Sequence, residues 1–193
     1  MIPPIPQVVL LFGLVGAFVH FLVAGARTFS VTRNDDTGVG WAQVSFVLSG
    51  ALTVGFLGLR TPIRPVNGIA SALVLVSSLG LYEWARHTIW GRRFPIAWSG
   101  RVPDSVCNSG PYQYVRHPIY GSYILAFLAA LVAMPSLVML ACFLFNVALF
   151  AHAARSDERS LEQSRLAAEY GYYKRVTGMF VPRILPASTV DGG

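Results

Sequence analysis

Charged side chains are scarce in this chain of 193 residues, because Asp, Glu, Lys and Arg together make up only 12% of it. Soluble domains average about 25% charged residues, so the chain has too few charges to coat a water-exposed surface. Its hydrophobic content of 54% is too high for a disordered chain, and its mean hydropathy is +0.54. The composition therefore predicts an integral membrane protein.

Cysteine and the usual ligand-binding patterns are also scarce. Cys107 and Cys142 are too few for a disulfide framework, and they fall in a loop and a membrane span. The sequence has no spacing typical of a metal site and no glycine fingerprint for a dinucleotide or phosphate. Basic cytoplasmic loops account for the net charge of +6. We therefore expect no metal and no nucleic-acid partner.

Five apolar stretches are candidates to cross a bilayer, which takes about 20 residues. They are residues 8–26, 41–59, 66–85, 117–133 and 136–153. Met134 and Pro135 separate the last two, and a proline there ends one helix and can open the next. We expect an all-α polytopic membrane protein with about five transmembrane helices, forming a single membrane domain over residues 1–193.

Basic residues in the connecting segments set the orientation. With the N-terminus outside, thirteen of them lie on the cytoplasmic side and two lie outside. The positive-inside rule therefore predicts an outside N-terminus and a cytoplasmic C-terminus. All basic residues except Lys174 are Arg, which with the abundant Ala, Val and Gly is typical of a GC-rich bacterial genome, so we expect the bacterial inner membrane.

Two long polar segments lie on the predicted cytoplasmic side, the loop 86–116 and the tail 154–193. Long ordered loops are uncommon and usually functional. We therefore expect these two segments to carry the chemistry and to form a cofactor pocket at the membrane face.

The end of the cytoplasmic loop carries the clearest motif. Gly110 and Pro111 form a turn, and Pro118 suits the first turn of the fourth span. The first turn of a helix has unpaired N–H groups and the positive end of the helix dipole. Since Arg116 and His117 stand just before it, this place can hold a carboxylate.

Aromatic residues surround that basic pair. Tyr112, Tyr114 and Tyr120 supply ring faces, which attract cations. A ligand that carries both a carboxylate and a cationic centre would suit this mixture. An ordinary interfacial aromatic belt with basic neighbours is the alternative that the residues leave open.

The tail holds a second polar group of residues. Asp157 and Glu158 follow the fifth span, and Tyr170 and Tyr173 share one helix face further on. Glu158 also lies three residues after Arg155, which is the spacing of a solvated helix surface. Packing of the tail against the membrane would likewise explain the tyrosines, so both interpretations stay open.

Taken together, these motifs resemble the isoprenylcysteine carboxyl methyltransferase family of integral membrane methyltransferases, which is related to the phospholipid methyltransferases. The shared pattern is a Gly-Pro-Tyr turn, an Arg-His-Pro-x-Tyr run, an apolar hairpin, an acidic pair followed by Leu, and a Tyr-x-x-Tyr tail. It covers about residues 84–182, with Asp-Glu at the acidic pair. The resemblance implies methyl transfer from S-adenosylmethionine at the cytoplasmic face.

The resemblance also implies an acceptor and site residues. The acceptor would be a lipophilic small molecule or lipidated substrate, such as an isoprenylcysteine-type carboxylate, that reaches the site from membrane lipid. Arg116 and Glu158 would be catalytic, and Glu158 would meet the ribose, the ammonium or an active-site arginine. The implied cofactor-binding residues are Gly110, Tyr112, Arg116, His117, Pro118, Tyr120, Glu158 and Tyr170.

An NADPH-dependent membrane reductase of the steroid or sterol type is the alternative, because such enzymes look similar in this region. They typically have Asn at the position of Ile119 and an acidic residue just after the glycine. Here Ile119 and the pair Gly121 and Ser122 disfavour that class.

Polar residues inside predicted spans are functional candidates by default. His20 lies near the cytoplasmic end of the first span, where we expect a cap or an interhelical hydrogen bond. Glu83 lies one turn from Arg86 and His87, so we expect a local ion pair.

Overall fold

The computed structural model describes residues 5–28, 63–90 and 103–183, with isolated residues between 44 and 55. These residues are helical or irregular and include no strand, which confirms the all-α prediction for this part of the chain. The α-helices with described bounds are α1 (Ile5–Thr28), α2 (Pro65–Ile89), α3 (Pro118–Ala133), α4 (Leu137–Glu162) and α5 (Ala167–Val176).

Two of these helices, α2 and α4, are long and apolar enough to cross a bilayer. Shorter apolar helices cover Gln7–Val23 in α1 and Pro118–Ala133, which is α3. The second predicted span, 41–59, lies largely outside the described residues. The count of five spans therefore stays a prediction.

Helix α3 packs against α2, α4 and α1. Two buried serines of α2 bind its backbone: the Ser71 hydroxyl donates to the Ala129 carbonyl at 2.7 Å, and the Ser78 hydroxyl donates to the Ser122 carbonyl at 2.7 Å. Small residues on α3 let the two backbones approach this closely. These contacts fix the position of α3 along the axis of α2.

Aromatic rings join all four long helices near the predicted cytoplasmic end. The ring of Phe21 lies 4.9 Å from that of Tyr82 and 5.1 Å from that of Tyr123, between centroids. Tyr123 in turn lies 5.3 Å from Phe150 of α4. Tilted and edge-on ring pairs at these distances are favourable beyond the area they bury. They hold the start of α3 beside the part of α4 around Phe150.

The predicted partners of His20 and Glu83 are confirmed. Glu83 Oε1 lies 2.7 Å from His20 Nε2 across the α1–α2 contact. Its other oxygen, Oε2, accepts from Arg86 Nη2 at 2.6 Å and lies 3.6 Å from His87 Nε2. Both residues are therefore accounted for by interactions between and within helices.

Helix α4 begins as the sequence predicts and ends later than the predicted span. The Ser136 hydroxyl accepts from the Met139 N–H at 3.2 Å and caps its start, after the turn at Met134 and Pro135. The helix then continues past residue 153 to Glu162 without a break. Charged residues mark the end of the apolar stretch, and they do not stop a helix. The acidic pair therefore lies on a rigid extension of α4.

Candidate active site

A tight turn at residues 110–113 leads the chain to the start of α3. Gly110–Gln113 forms a short 3-10 helix, and Gly110 has a φ of +57°. A Cβ at this position would lie 2.3 Å from Thr88 Oγ1, near the end of α2. Both the conformation and the close approach require glycine. The turn is thereby seated on α2 and directs the chain towards α3.

The tail pairs with the segment just before α3. The Arg116 N–H donates to the Gly178 carbonyl at 2.8 Å, and the His117 N–H donates to the Met179 carbonyl at 3.1 Å. The Tyr173 hydroxyl adds a bond of 2.5 Å to the carbonyl of Tyr112. These contacts hold residues 173–179 of the tail against Tyr112, Arg116 and His117.

A buried ion pair lies at the centre of this junction. Arg116 Nε donates to Glu158 Oε1 at 2.8 Å, and only 8% of Arg116 and 3% of Glu158 is exposed. Arg116 Nη1 also donates to the backbone carbonyls of Lys174 and Thr177. The guanidinium thus joins α4 to the tail.

Two further basic groups contact the Glu158 carboxylate. His117 Nε2 lies 3.3 Å from its Oε1, and Lys174 Nζ lies 3.0 Å from its Oε2. Glu158 lies beyond the apolar stretch of α4. Burial raises the pKa of its carboxyl, but the hydrogen bonds from His117, Arg116 and Lys174 outweigh burial and lower the pKa to about 2. The carboxylate is therefore ionised at neutral pH and is a poor proton acceptor.

Stacked rings line one side of the pair. The imidazole of His117 lies 5.4 Å from the ring of Tyr120, with 5° between the ring planes. The Tyr120 hydroxyl donates to Asp157 Oδ2 at 2.7 Å, which ties this ring to α4. The two acids of the predicted pair therefore have different partners: Asp157 holds Tyr120, and Glu158 meets Arg116.

Tyr170 of α5 lies close to the same ion pair. Only 2% of it is exposed, and its hydroxyl makes no hydrogen bond of normal geometry among the described residues. Burial raises its pKa, and the Glu158 charge adds to the rise, while Arg116 acts in the other direction. The phenol is therefore protonated.

The structure brings most of the predicted site residues together. Arg116, His117, Tyr120 and Glu158 are linked by direct contacts, and Pro118 begins α3 directly after them. Tyr112 joins through its carbonyl, whereas Gly110 shapes the turn. No group of three or more His, Cys, Asp or Glu suited to a metal occurs in the described part of the chain.

Sequence reasoning missed Lys174, Thr177 and Gly178. Lys174 carries a signal that could have been used, since it is the only lysine and follows Tyr173 directly. Thr177 and Gly178 contribute backbone carbonyls, which any residue type carries, although a Cβ at Gly178 would clash with the Val181 carbonyl.

The chain was compared with known proteins. A family model described as the isoprenylcysteine carboxyl methyltransferase (ICMT) family matches residues 88–163, which include most of the predicted loop 86–116, α3 and α4. The comparison with curated proteins found no match. The matched segment contains Arg116, His117 and Glu158 and stops before the tail residues that contact them. The predicted resemblance is thereby confirmed: residues 88–163 match the model of the isoprenylcysteine carboxyl methyltransferase family, a family of membrane methyltransferases.

Proposed function

We propose that this protein transfers the methyl group of S-adenosylmethionine to a lipophilic acceptor at the cytoplasmic face of the membrane. The buried contact of Arg116 with Glu158 carries the proposal, since both residues lie within the matched domain. It joins the start of α3, the extension of α4 and the tail at one place. Strongly perturbed, partner-rich carboxylates of this kind concentrate at functional sites.

The residues at this junction suit S-adenosylmethionine. Its methionine part carries a carboxylate and an ammonium beside a sulfonium, so it needs hydrogen-bonding groups and aromatic faces. The buried Tyr170 hydroxyl lies close to the ion pair, and the stacked rings of His117 and Tyr120 offer aromatic surface. When bound, the cofactor supplies a methyl group on a positively charged sulfur.

The residues divide into those that hold the ligand and those that hold the site. The polar groups of the cofactor are bound by His117, Tyr170 and the first turn of α3. The cofactor site is lined by the rings of Tyr112 and Tyr120. The contacts of Arg116 with Glu158 and with tail carbonyls support a role in holding this arrangement closed. Gly110 and Pro118 shape the turn and the helix start.

Alignment is the main contribution that the protein makes to such a reaction. Methyl transfer is an in-line displacement, so holding both reactants in one geometry lowers the barrier. With a pKa of about 2, Glu158 does not take a proton at neutral pH and acts by charge and position. An acceptor that is already an anion, such as a carboxylate, needs no base.

The exposed apolar surface of the two longest helices supports a lipophilic acceptor. Large apolar side chains are exposed along the outer faces of α2 and α4, among them Leu73, Val76, Leu144 and Phe145. In a bilayer these faces meet acyl chains, so an acceptor with an apolar tail can approach within the membrane plane.

Transfer of label tests the proposal. Purified protein in detergent is incubated with methyl-labelled S-adenosylmethionine and bacterial membrane extract, and label is counted in the lipid and protein fractions. We expect label in a lipid-soluble or lipidated product, and calorimetry should show binding of S-adenosylmethionine or its demethylated product. Tighter binding of NADPH, with no label transferred, would reject the proposal in favour of the reductase class.

A further inference from the structure

Lys174 contacts both members of the buried ion pair. Its ammonium lies 3.0 Å from Glu158 Oε2, and its backbone carbonyl accepts from Arg116 Nη1 at 3.4 Å. The same ammonium lies 2.7 Å from Glu162 Oε1, one helical turn further along α4. Lys174 of α5 thereby contacts two successive turns of α4 and the segment before α3.

The two oxygens of Glu158 have different partners. Oε1 receives Arg116 and His117, whereas Oε2 receives Lys174. A buried carboxylate is costly unless its oxygens are hydrogen-bonded. We infer that Lys174 is a positioning residue, which fixes the orientation of the Glu158 carboxylate within the site. It acts through Glu158, without contact to the reacting atoms, and no motif of the family resemblance includes it.

The charges that face Glu158 set the direction of the effect. The described groups are Arg116 and His117 before α3, Lys174, Tyr170 and Tyr173 on α5, and Asp157 on the same helix, whose carboxylate accepts from Tyr120. Removing the ammonium leaves fewer positive charges to oppose burial. The pKa of Glu158 should then move up from about 2 towards its ordinary value of 4.5.

The experiment compares melting temperatures of the full chain in detergent for the wild type, Lys174→Met, Lys174→Gln and Lys174→Arg between pH 2 and pH 8. A carboxyl whose folded pKa is depressed stabilises the fold above its unfolded pKa, and the benefit is lost as pH falls through the folded pKa. We therefore expect Lys174→Met to melt at least about 2 °C below wild type at pH 7. This gap should close between the ordinary pKa of 4.5 and the folded pKa of about 2. Lys174→Arg, which keeps the charge, should recover most of it.

Glu162→Gln is the matched control, because it removes the other carboxylate that Lys174 contacts. Its side chain is 43% exposed, against 4% for Glu158, so we expect almost no gap at any pH. A gap for Lys174→Met and Lys174→Gln that stays constant with pH would overturn the inference, because loss of packing has no titration. Failure of Lys174→Arg to recover stability would overturn it as well.

The inference rests on the proposed function for its meaning in catalysis, and a second measurement separates the two. Calorimetry with S-adenosylmethionine should show an affinity at least about tenfold lower for Lys174→Met than for wild type, because Glu158 Oε2 loses the charge-assisted hydrogen bond that holds the carboxylate in place. If wild type binds no S-adenosylmethionine but the pH-dependent gap appears, the positioning role stands and the proposed function fails. If wild type binds and Lys174→Met binds equally well, the positioning role fails alone.

Discussion

Replacing Glu158 by Gln tests the centre of the site most directly. The amide keeps the size of the side chain and removes its charge. Arg116, whose side chain is 5% exposed, then remains buried without its counter-ion. Breaking a buried pair in this way typically costs about 3–5 kcal/mol. We expect a clear loss of thermal stability together with a loss of cofactor affinity.

The pKa of Glu158 gives an independent magnitude. Its fall from 4.5 to about 2 corresponds to about 2–3 kcal/mol after an allowance for solvent screening. Because the folded pKa is depressed, this stabilisation is present above the ordinary pKa and is lost as pH falls towards 2. Two separate arguments thus give a few kcal/mol for one carboxylate.

The assay is unfolding of the purified protein in detergent, with calorimetric titration of S-adenosylmethionine on the same samples. Glu162→Gln is measured in parallel, since it removes an acid from the same face of α4. Its partner Lys174 is 40% exposed, so we expect a change within about 1 kcal/mol.

Equal behaviour of Glu158→Gln and Glu162→Gln would refute the reasoning. It would mean that the tail does not bury Glu158 in solution, and that α4 carries only a solvated charged surface beyond its apolar stretch.

Three further predictions use other parts of the molecule. Gly110→Ala should destabilise the protein by about 1–3 kcal/mol in denaturant unfolding, because its φ is +57° and a Cβ would meet Thr88; an unchanged midpoint would contradict this. Tyr120→Phe keeps the ring but removes the bond to Asp157, so a loss of about 1.5–3 kcal/mol is expected by thermal unfolding, and no loss would show that this bond is not maintained. A reporter fused after Gly193 should be active in the cytoplasm, and reporter activity on the outer side would show that the predicted orientation is reversed.

Local sequence features predicted the helical parts of the site well. Pro118 marks the start of α3, and Met134 with Pro135 marks the turn before α4, because proline restricts the backbone wherever it occurs. The Gly110 turn is likewise predicted by residue type, since few residues other than glycine adopt its positive φ. These features depend on neighbouring residues alone.

The end of α4 was harder to predict, because the apolar run and the helix end at different places. Hydropathy shows that the apolar run ends at residue 153, and this run is the part of the helix that we expect to contact lipid. The helix continues to Glu162 because nothing in its charged residues breaks the hydrogen-bond pattern. The sequence therefore located the acidic pair beyond the membrane without showing that it stands on a rigid helix.

The sequence by itself determined that the chain is an apolar, helical membrane protein and which motif residues to examine. Only the tertiary structure decided that Glu158 pairs with Arg116, 42 positions away, while Glu162 stays half exposed. Helical spacing puts both acids on one face of α4, but it does not say which of them the returning tail covers. That depends on where α5 packs, which the Tyr173 bond to Tyr112 and the carbonyls around Thr177 fix through long-range contacts. Burial then separates two chemically similar acids into a buried, strongly paired carboxylate and a surface one.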